Sequence, residues 1–247
     1  MSKDRIVPHD FRRELLMELF DVSSRRCALA YHDVEVDMSA AESTCAQFCE
    51  RGINLSDIHL LVKAAAVALE ENPLFNSVIT PSGIRVQEKV SIGVIDDVPA
   101  RLPLLLIEDA HLKSLETISQ ELEKSANLLR ANEPRFLRRM DSLRHLPRFL
   151  RRLAIRYLRS HPPRALSELL PTFVVASLSS ADSGFPIYGT TAYLFAGRVA
   201  ERPVLVDGEL AVRPSMCLTL VTDHRVIDGV PAAAFLNRVK ELVEERG

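Results

Sequence analysis

The hydrophobic pattern of this chain changes period repeatedly, and each change marks an element. Residues 8–21 (PHDFRRELLMELFD) place Phe11, Leu15, Leu16, Leu19 and Phe20 on one stripe, which predicts a helix. Residues 27–37 alternate instead, through Ala28, Ala30, a polar position, Val34 and Val36, and predict a strand. Ser39 is expected to cap a helix that runs to Glu50 and closes at Gly52. Ser56 is expected to cap the next helix, whose apolar run over 60–69 ends at Asn72-Pro73. Strand runs follow at 76–79, 84–87, 89–96 and 103–107. A long helix is predicted over 109–129, with Leu112, Leu115, Ile118, Leu122 and Leu129 on one side. Five more strands are expected at 172–178, 191–199, 203–206, 210–213 and 216–222, before a closing helix over 230–245. Val206-Asp207-Gly208-Glu209 carries the Asp-Gly signal of a tight hairpin. Helices and strands do not alternate strictly, and the chain has no repeat and no Gly/Ser-rich linker. One α+β domain over 1–247 is therefore expected, rather than a doubly wound one.

Charge changes the picture in one place. The 247 residues carry 31 Lys+Arg against 33 Asp+Glu, a net charge of -2, which excludes general nucleic-acid binding. Yet residues 135–159 hold nine arginines and one acid, Asp141, a local +8 that leaves -10 for the rest. Within them Leu146, Phe149, Leu150, Leu153 and Tyr157 recur at helical spacing, with Arg148, Arg151, Arg152, Arg156 and Arg159 mostly on the other side. Such a helix suits an anionic membrane surface or an acidic partner. The charge balance favours instead a surface helix whose arginines pair with the acidic remainder of the protein or of a neighbouring subunit, since the rest of the chain supplies the missing negative charge. No apolar run reaches the roughly 18 residues of a membrane-spanning helix. The start, MSKDRIVPHDF, lacks the apolar stretch of a signal peptide, so a cytoplasmic protein is expected. Cys45 and Cys49 find no partner pair at metal-ligand spacing, so free, buried thiols and no metal are expected.

The segment with the clearest chemistry is MCLTLVTDHRVIDG, residues 216–229. An apolar strand delivers His224 at its end, and Asp228-Gly229 follows just before the last helix. Histidine, with an unperturbed pKa of about 6.5, is the side chain best matched to proton transfer near neutral pH. Asp228 is close enough to shape the turn, and Gly229 is expected to permit a backbone geometry closed to other residues. By spacing alone, an Asp-His pair at a strand–helix turn is more often structural than catalytic. The chain has no Gly-rich phosphate loop, no HExxH and no GxSxG.

Asp223-His224-Arg225-Val226-Ile227-Asp228-Gly229 resembles the active-site signature of the dihydrolipoamide acyltransferases, the catalytic cores of 2-oxoacid dehydrogenase complexes. Chloramphenicol acetyltransferase shares their fold and their His-x-x-x-Asp-Gly pattern. The likeness extends to Glu201-Arg202-Pro203-Val204, Val206-Asp207-Gly208-Glu209 and Val212-Arg213-Pro214. It also takes in Val62-Lys63-Ala64, Asn72-Pro73, Asn76, Val90-Ser91-Ile92-Gly93-Val94, Asp109-Ala110 and Ser114-Leu115.

The resemblance implies a chloramphenicol acetyltransferase-like mixed sheet flanked by helices, in a homotrimer with each site at a subunit boundary. His224 would take the proton from a thiol such as that of coenzyme A, a pantetheine or a lipoyl group, since the thiolate is the nucleophile. Asp228 would be the family's structural carboxylate, paired with an arginine. Phe11-Arg12-Arg13 looks like the aromatic-x-Arg pattern that supplies it, which points to Arg13, with Arg12 adjacent. The family's oxyanion hydroxyl would come from Thr172-Phe173-Val174-Val175-Ala176-Ser177-Leu178. There an ungapped match puts Ala176 in place and Ser177 one residue along, on the opposite face of a strand.

Two architectural departures stand beside these. The core begins almost at Met1, without a lipoyl-lysine region or an Ala/Pro-rich linker, and the C-terminus lacks the apolar tail that joins trimers, so a stand-alone trimer is expected. An Arg-rich helical insertion at about 132–170 replaces a shorter connection. Two readings follow: a coenzyme A-dependent acyltransferase acting on an acceptor the sequence does not name, or a trimeric binding or scaffold protein that keeps the fold with weak or no catalysis.

Overall fold

The computed structural model describes residues 28–80, 82–95, 105–131, 145–160, 171–184, 190–206 and 208–245, with Phe11 and Met17 besides. The predicted helix over 8–21 lies outside these, save that Phe11 and Met17 are both helical. Among the described residues, nine strands and five α-helices follow in order. They are β1 (Leu29–Asp37), α1 (Ser39–Glu50), α2 (Asp57–Glu71), β2 (Ser77–Thr80), β3 (Gly83–Val86), β4 (Ser91–Ile95) and β5 (Leu105–Glu108). Then come α3 (Leu115–Ala131), α4 (Arg148–Ser160), β6 (Phe173–Ser177), β7 (Ala192–Ala196), β8 (Ala200–Val206), β9 (Glu209–Asp223) and α5 (Gly229–Glu244).

The main sheet has the order β1-β9-β7-β6-β4-β5, with β8 also on β9, so β1, β5 and β8 each have an open side among the described residues. Only β4, β6 and β7 run parallel to one another; every other pair is antiparallel. β2 and β3 form a separate hairpin. This is the mixed-sheet α+β architecture expected from the sequence. β6 (FVVAS) and β7 (AYLFA) are buried along nearly their whole length, which is why they read as continuous apolar runs rather than alternations. On one face, Phe173, Val175, Leu194, Leu218 and Leu220 join residues of α2, α3 and α5 in the main core. Its centre is aromatic: Phe75 stacks on Phe235 at 4.2 Å between ring centroids, and Phe173 lies 5.5 Å from Phe235. Val174, Ala176, Tyr193, Phe195 and Val221 form a second, smaller cluster on the other face.

Three expectations change. Asp109 takes a left-handed conformation (φ 49°) and a short 3-10 turn follows, so the helix predicted from 109 begins at Leu115. Ser114 caps it, its Oγ accepting the Thr117 N–H at 3.2 Å, and Leu112 is left exposed. The ammonium of Lys63 holds the turn by donating to the carbonyls of Ala110, His111 and Lys113. Second, the strands expected at 210–213 and 216–222 are one strand through Pro214, whose carbonyl accepts the Met38 N–H. The two-residue hairpin is as expected, with Val206 opposite Glu209 and Gly208 at φ 86°. Beyond the body of the sheet this hairpin exposes Leu205 opposite Leu210 and Val212 opposite Pro203, all on one face of the ribbon.

Third, Ser39 is the first helical residue of α1 and not its cap. Asp37 serves that end: its Oδ1 accepts both the Ser39 N–H at 2.8 Å and the Ser39 hydroxyl at 2.6 Å. Burial raises the Asp37 pKa, but the Ser39 hydrogen bonds and the nearby Arg213 and Lys240 charges outweigh it, and the net shift is downward. A depressed carboxylate contributes stability above its unfolded pKa and loses it as pH falls through the folded value. Asp37→Ala is therefore expected to cost about 1 kcal/mol at neutral pH, with the difference from wild type closing below about pH 4. Urea denaturation across that range reads both effects; a gap that persists in acid contradicts the assignment.

Candidate active site

β9 leaves the sheet into a turn whose inner side is fixed and whose outer side is not. Asp223, buried at the strand end, donates its N–H to the Thr191 carbonyl, and its own carbonyl accepts the N–H groups of Val226 and Ile227. Its carboxylate accepts the Arg225 N–H at 3.1 Å and Nε at 2.8 Å, and a further short contact from Arg225 Nη2. Ile227 is buried in the main core. With Asp223 and Ile227 turned inward, His224 and Asp228 are turned outward, and their side chains are 50% and 84% exposed.

The backbone of His224 is fixed nonetheless, its N–H donating to the Ala28 carbonyl at 2.6 Å. Asp228 occupies the N-cap position of α5 in extended geometry but makes no side-chain cap bond. Its Oδ1 instead lies 3.5 Å from His224 Nδ1, loose for a hydrogen bond and within ion-pair reach. The helix start would itself favour a negative charge there. Gly229 does not play the part expected of it: its φ is not positive, and a Cβ would meet only His32 Nε2 at an ordinary 3.7 Å.

The sequence reading missed His32, the polar interruption on the inward-facing side of β1. Its Nδ1 is buried with no hydrogen-bond partner, close under the start of α5. The break in the apolar alternation was the available signal.

Ser177 is not brought to His224. It pairs with Ala196, which pairs with Leu218, so Ser177 shares the helix-side row of those two residues. Ala176 stands on the opposite face with Val174, Tyr193 and Phe195. His224 lies six residues beyond Leu218 along the chain, about 20 Å at the rise of a strand. The pairing of β6 with β7 runs without a bulge through Ser177, so the one-residue offset between Ala176 and Ser177 stays an alternation of faces. Gly197, beside this end of β6, packs so closely that a Cβ would fall 1.9 Å from the Asp182 carbonyl oxygen.

Arg13 lies outside the described residues. Phe11 beside it sits under Arg151, whose guanidinium carbon is 5.1 Å from the ring centroid. Among the described residues, Cys45, Cys49 and Cys217 are free of disulfides. Cys45 is half-buried, with its pKa raised to about 11 by burial and by the Asp57 and Glu42 charges, whereas Cys49 is exposed, against expectation. No group of three His, Cys, Asp or Glu suited to a metal ion occurs among the described residues.

A half-exposed imidazole at the end of an antiparallel strand, faced by a carboxylate four residues on, thus stands at the rim of a mixed sheet. The fold is shared with chloramphenicol acetyltransferase (TM-score 0.51, 15% identity, covering 97% of this chain and 99% of that one). It is more similar to a probable dihydrolipoamide acetyltransferase of Listeria monocytogenes, with TM-score 0.80 and 25% identity over 99% of this chain and 96% of that one. The chain belongs to the family of 2-oxoacid dehydrogenases acyltransferase (catalytic domain), whose sequence model matches residues 2–136 and 172–246. Among curated relatives, it is 27% identical over 252 residues to the dihydrolipoyllysine-residue succinyltransferase component of the 2-oxoglutarate dehydrogenase complex of Bartonella vinsonii subsp. berkhoffii. That match covers 99% of this chain and 54% of the relative. The chain thus spans about half the length of the curated relatives it matches.

Because Arg225 neutralises a buried carboxylate, Arg225→Met is expected to cost about 2–3 kcal/mol, discounted for the partial exposure of the guanidinium. A double-mutant cycle with Asp223→Asn, read by urea denaturation, measures the coupling. Strict additivity would show that this pair does not hold the turn.

Proposed function

We propose that the chain is an acyltransferase that moves an acyl group between a thioester and a second acceptor, with coenzyme A or another pantetheine or lipoyl thiol as substrate. The observation that carries the reading is the outward-facing His224 imidazole with Asp228 Oδ1 at its Nδ1. A carboxylate on that side favours the tautomer with the proton on Nδ1, which leaves the Nε2 lone pair to accept a proton from a thiol. The S–H bond breaks, the thiolate attacks the acyl carbonyl carbon, and a tetrahedral oxyanion forms. Its collapse expels the departing group, which takes back the proton held on His224.

A site built on one copy alone would place the Ser177 end of β6 about 20 Å from this base. We therefore infer that a second copy completes the pocket, in a homotrimer with His224 at the boundary. The exposed apolar face of the β8–β9 hairpin (Leu205, Leu210, Val212) is consistent with cover by a neighbour. Structural relatives include cores of 2-oxoacid dehydrogenase complexes, such as a truncated catalytic core from Thermoplasma acidophilum.

His224→Ala is expected to lower turnover of acetyl-coenzyme A with dihydrolipoamide or a simple thiol by about 10²–10⁴-fold, the usual worth of a positioned base. Equal rates for the two proteins would remove His224 from the mechanism.

A second reading, a trimeric binding or scaffold protein with weak or no catalysis, draws on Ala176. Where the resemblance calls for a hydroxyl, β6 offers a methyl, and Ser177 turns to the helix side. A missing oxyanion donor is worth about 2.7–4 kcal/mol of transition-state stabilisation. On the enzyme reading, Ala176→Ser supplies that donor and raises kcat about a hundredfold. An unchanged kcat, measured beside an intact melting curve, would show that the oxyanion does not lie against Ala176.

A further inference from the structure

The β2–β3 hairpin carries a face whose donors the surrounding chain does not answer. Its register pairs Ser77 with Val86, Val78 with Arg85 and Ile79 with Ile84. The Gln87 N–H extends the ladder one step by donating to the Asn76 carbonyl at 2.8 Å. Alternation puts Ile79, Ile84 and Val86 on one face, and Asn76, Val78, Arg85 and Gln87 on the other. The hairpin is tied to the main sheet, since Thr172 Oγ1 donates to Asn76 Oδ1 and Thr191 Oγ1 donates to the Ser77 carbonyl.

On the second face, Arg85 Nε, Arg85 Nη2 and Gln87 Nε2 are buried atoms with no hydrogen-bond partner among the described residues. All three are donors. The acceptors beside them are engaged: Asn76 Oδ1 takes the Thr172 hydroxyl, and the carbonyls of Gln87 and Lys89 take Asn76 Nδ2 at 3.1 and 2.8 Å. The Glu108 carboxylate is met by Lys89 instead, at 3.9 Å. Nε and Nη2 lie along one edge of a guanidinium, where parallel N–H bonds match two oxygens of a single oxyanion. A cation shut away from water without an acceptor destabilises a fold, so this edge is explained by an acceptor that arrives from outside. Arg85 and Gln87 as whole residues are only partly buried, which puts the site at the margin of the body rather than in its core.

We propose that Arg85 and Gln87 form a binding site for a phosphomonoester. The Arg85 edge donates to two terminal oxygens and the Gln87 amide to the third. The count favours phosphate over carboxylate, because donor groups from two side chains meet three terminal oxygens rather than two. No bond is made or broken here, and neither residue belongs to the His224 turn.

The test is the melting temperature of the full-length protein, titrated with inorganic phosphate, acetate or chloride at equal ionic strength. Millimolar phosphate is expected to raise it by about 2–4 °C, with acetate and chloride well below that. Arg85→Met removes the rise, and in chloride alone it melts no lower than wild type, because it takes a partnerless charge out of the fold. Arg85→Lys keeps the charge without the paired edge, and weakens phosphate binding about tenfold by calorimetry. A lower melting temperature of Arg85→Met in chloride shows that the chain itself holds the guanidinium, and overturns the proposal. So does an equal rise with acetate, no rise with phosphate, or full binding by Arg85→Lys. Coenzyme A and dephospho-coenzyme A, which lacks the phosphomonoester, separate the sources. Displacement of phosphate by the first alone assigns the site to coenzyme A, and displacement by neither assigns it to free phosphate or another monoester. Displacement by both shows that a diphosphate fills the site, and overturns the proposal. The readout needs no acyl transfer, so it stands or falls apart from the role of His224.

Discussion

Fifteen consecutive residues of β9 hold extended geometry because neighbours claim their backbone groups: β1 along 215–223, β7 over 218–222 and β8 from 215 outward. A slip of one residue in that ladder would send Leu218 and Leu220 out of the main core and Val221 into it. The register is therefore fixed by burial on both faces, and with it the point where the strand must stop. At one end it delivers His224, at the other the exposed hairpin. The two ends cannot be moved independently, so the place of the imidazole is a property of the whole sheet rather than of its own turn.

The turn after β9 illustrates how an exposed reactive group is kept in position without being buried. Asp223 and Ile227 are anchored inside, and the His224 N–H is tied to Ala28. Only the side chain of His224 retains freedom, and the Asp228 carboxylate narrows that freedom at Nδ1. Leaving the imidazole half in solvent avoids the cost of desolvating its charged form, so that a neighbour or a substrate can set its final environment.

What the sequence disclosed followed from periodicity and spacing. The alternation over 27–37, the apolar runs of β6 and β7, the Asp-Gly hairpin and the capped helix after Ser56 all reappear, the last with Ser56 and His59 closing a capping box. The seven-residue motif at His224 was equally plain, because strand, turn and helix are contiguous there. Long-range geometry was not. Nothing in the chain's pattern says that Ser177 and His224 sit toward opposite ends of the sheet, on strands separated by β7, since that needs strand order and register together. The delayed start of α3 turned on the left-handed Asp109, a conformation the local helical pattern does not encode. For α4 the stripe was legible, with Phe149, Leu153 and Tyr157 together on an exposed face, but a pattern specifies which residues share a face and not what that face meets. His32 shows the converse, a single polar residue among apolar ones that marks a spot where the backbone turn and α5 converge.

β1 carries Asp33, Glu35 and Asp37 along its length at the rim of the main sheet. Rows of unsatisfied amides and carbonyls on such a rim would template further strands and so seed fibrous aggregates. Two such rims aligned antiparallel would oppose carboxylates, and that repulsion makes open-ended stacking unfavourable. Hydrogen bonds within the chain, from Arg202 to Glu35, Thr219 to Asp33 and Ser39 to Asp37, also fix these side chains in place. The acidic character of β1 thus works against edge-to-edge pairing at that rim of the main sheet.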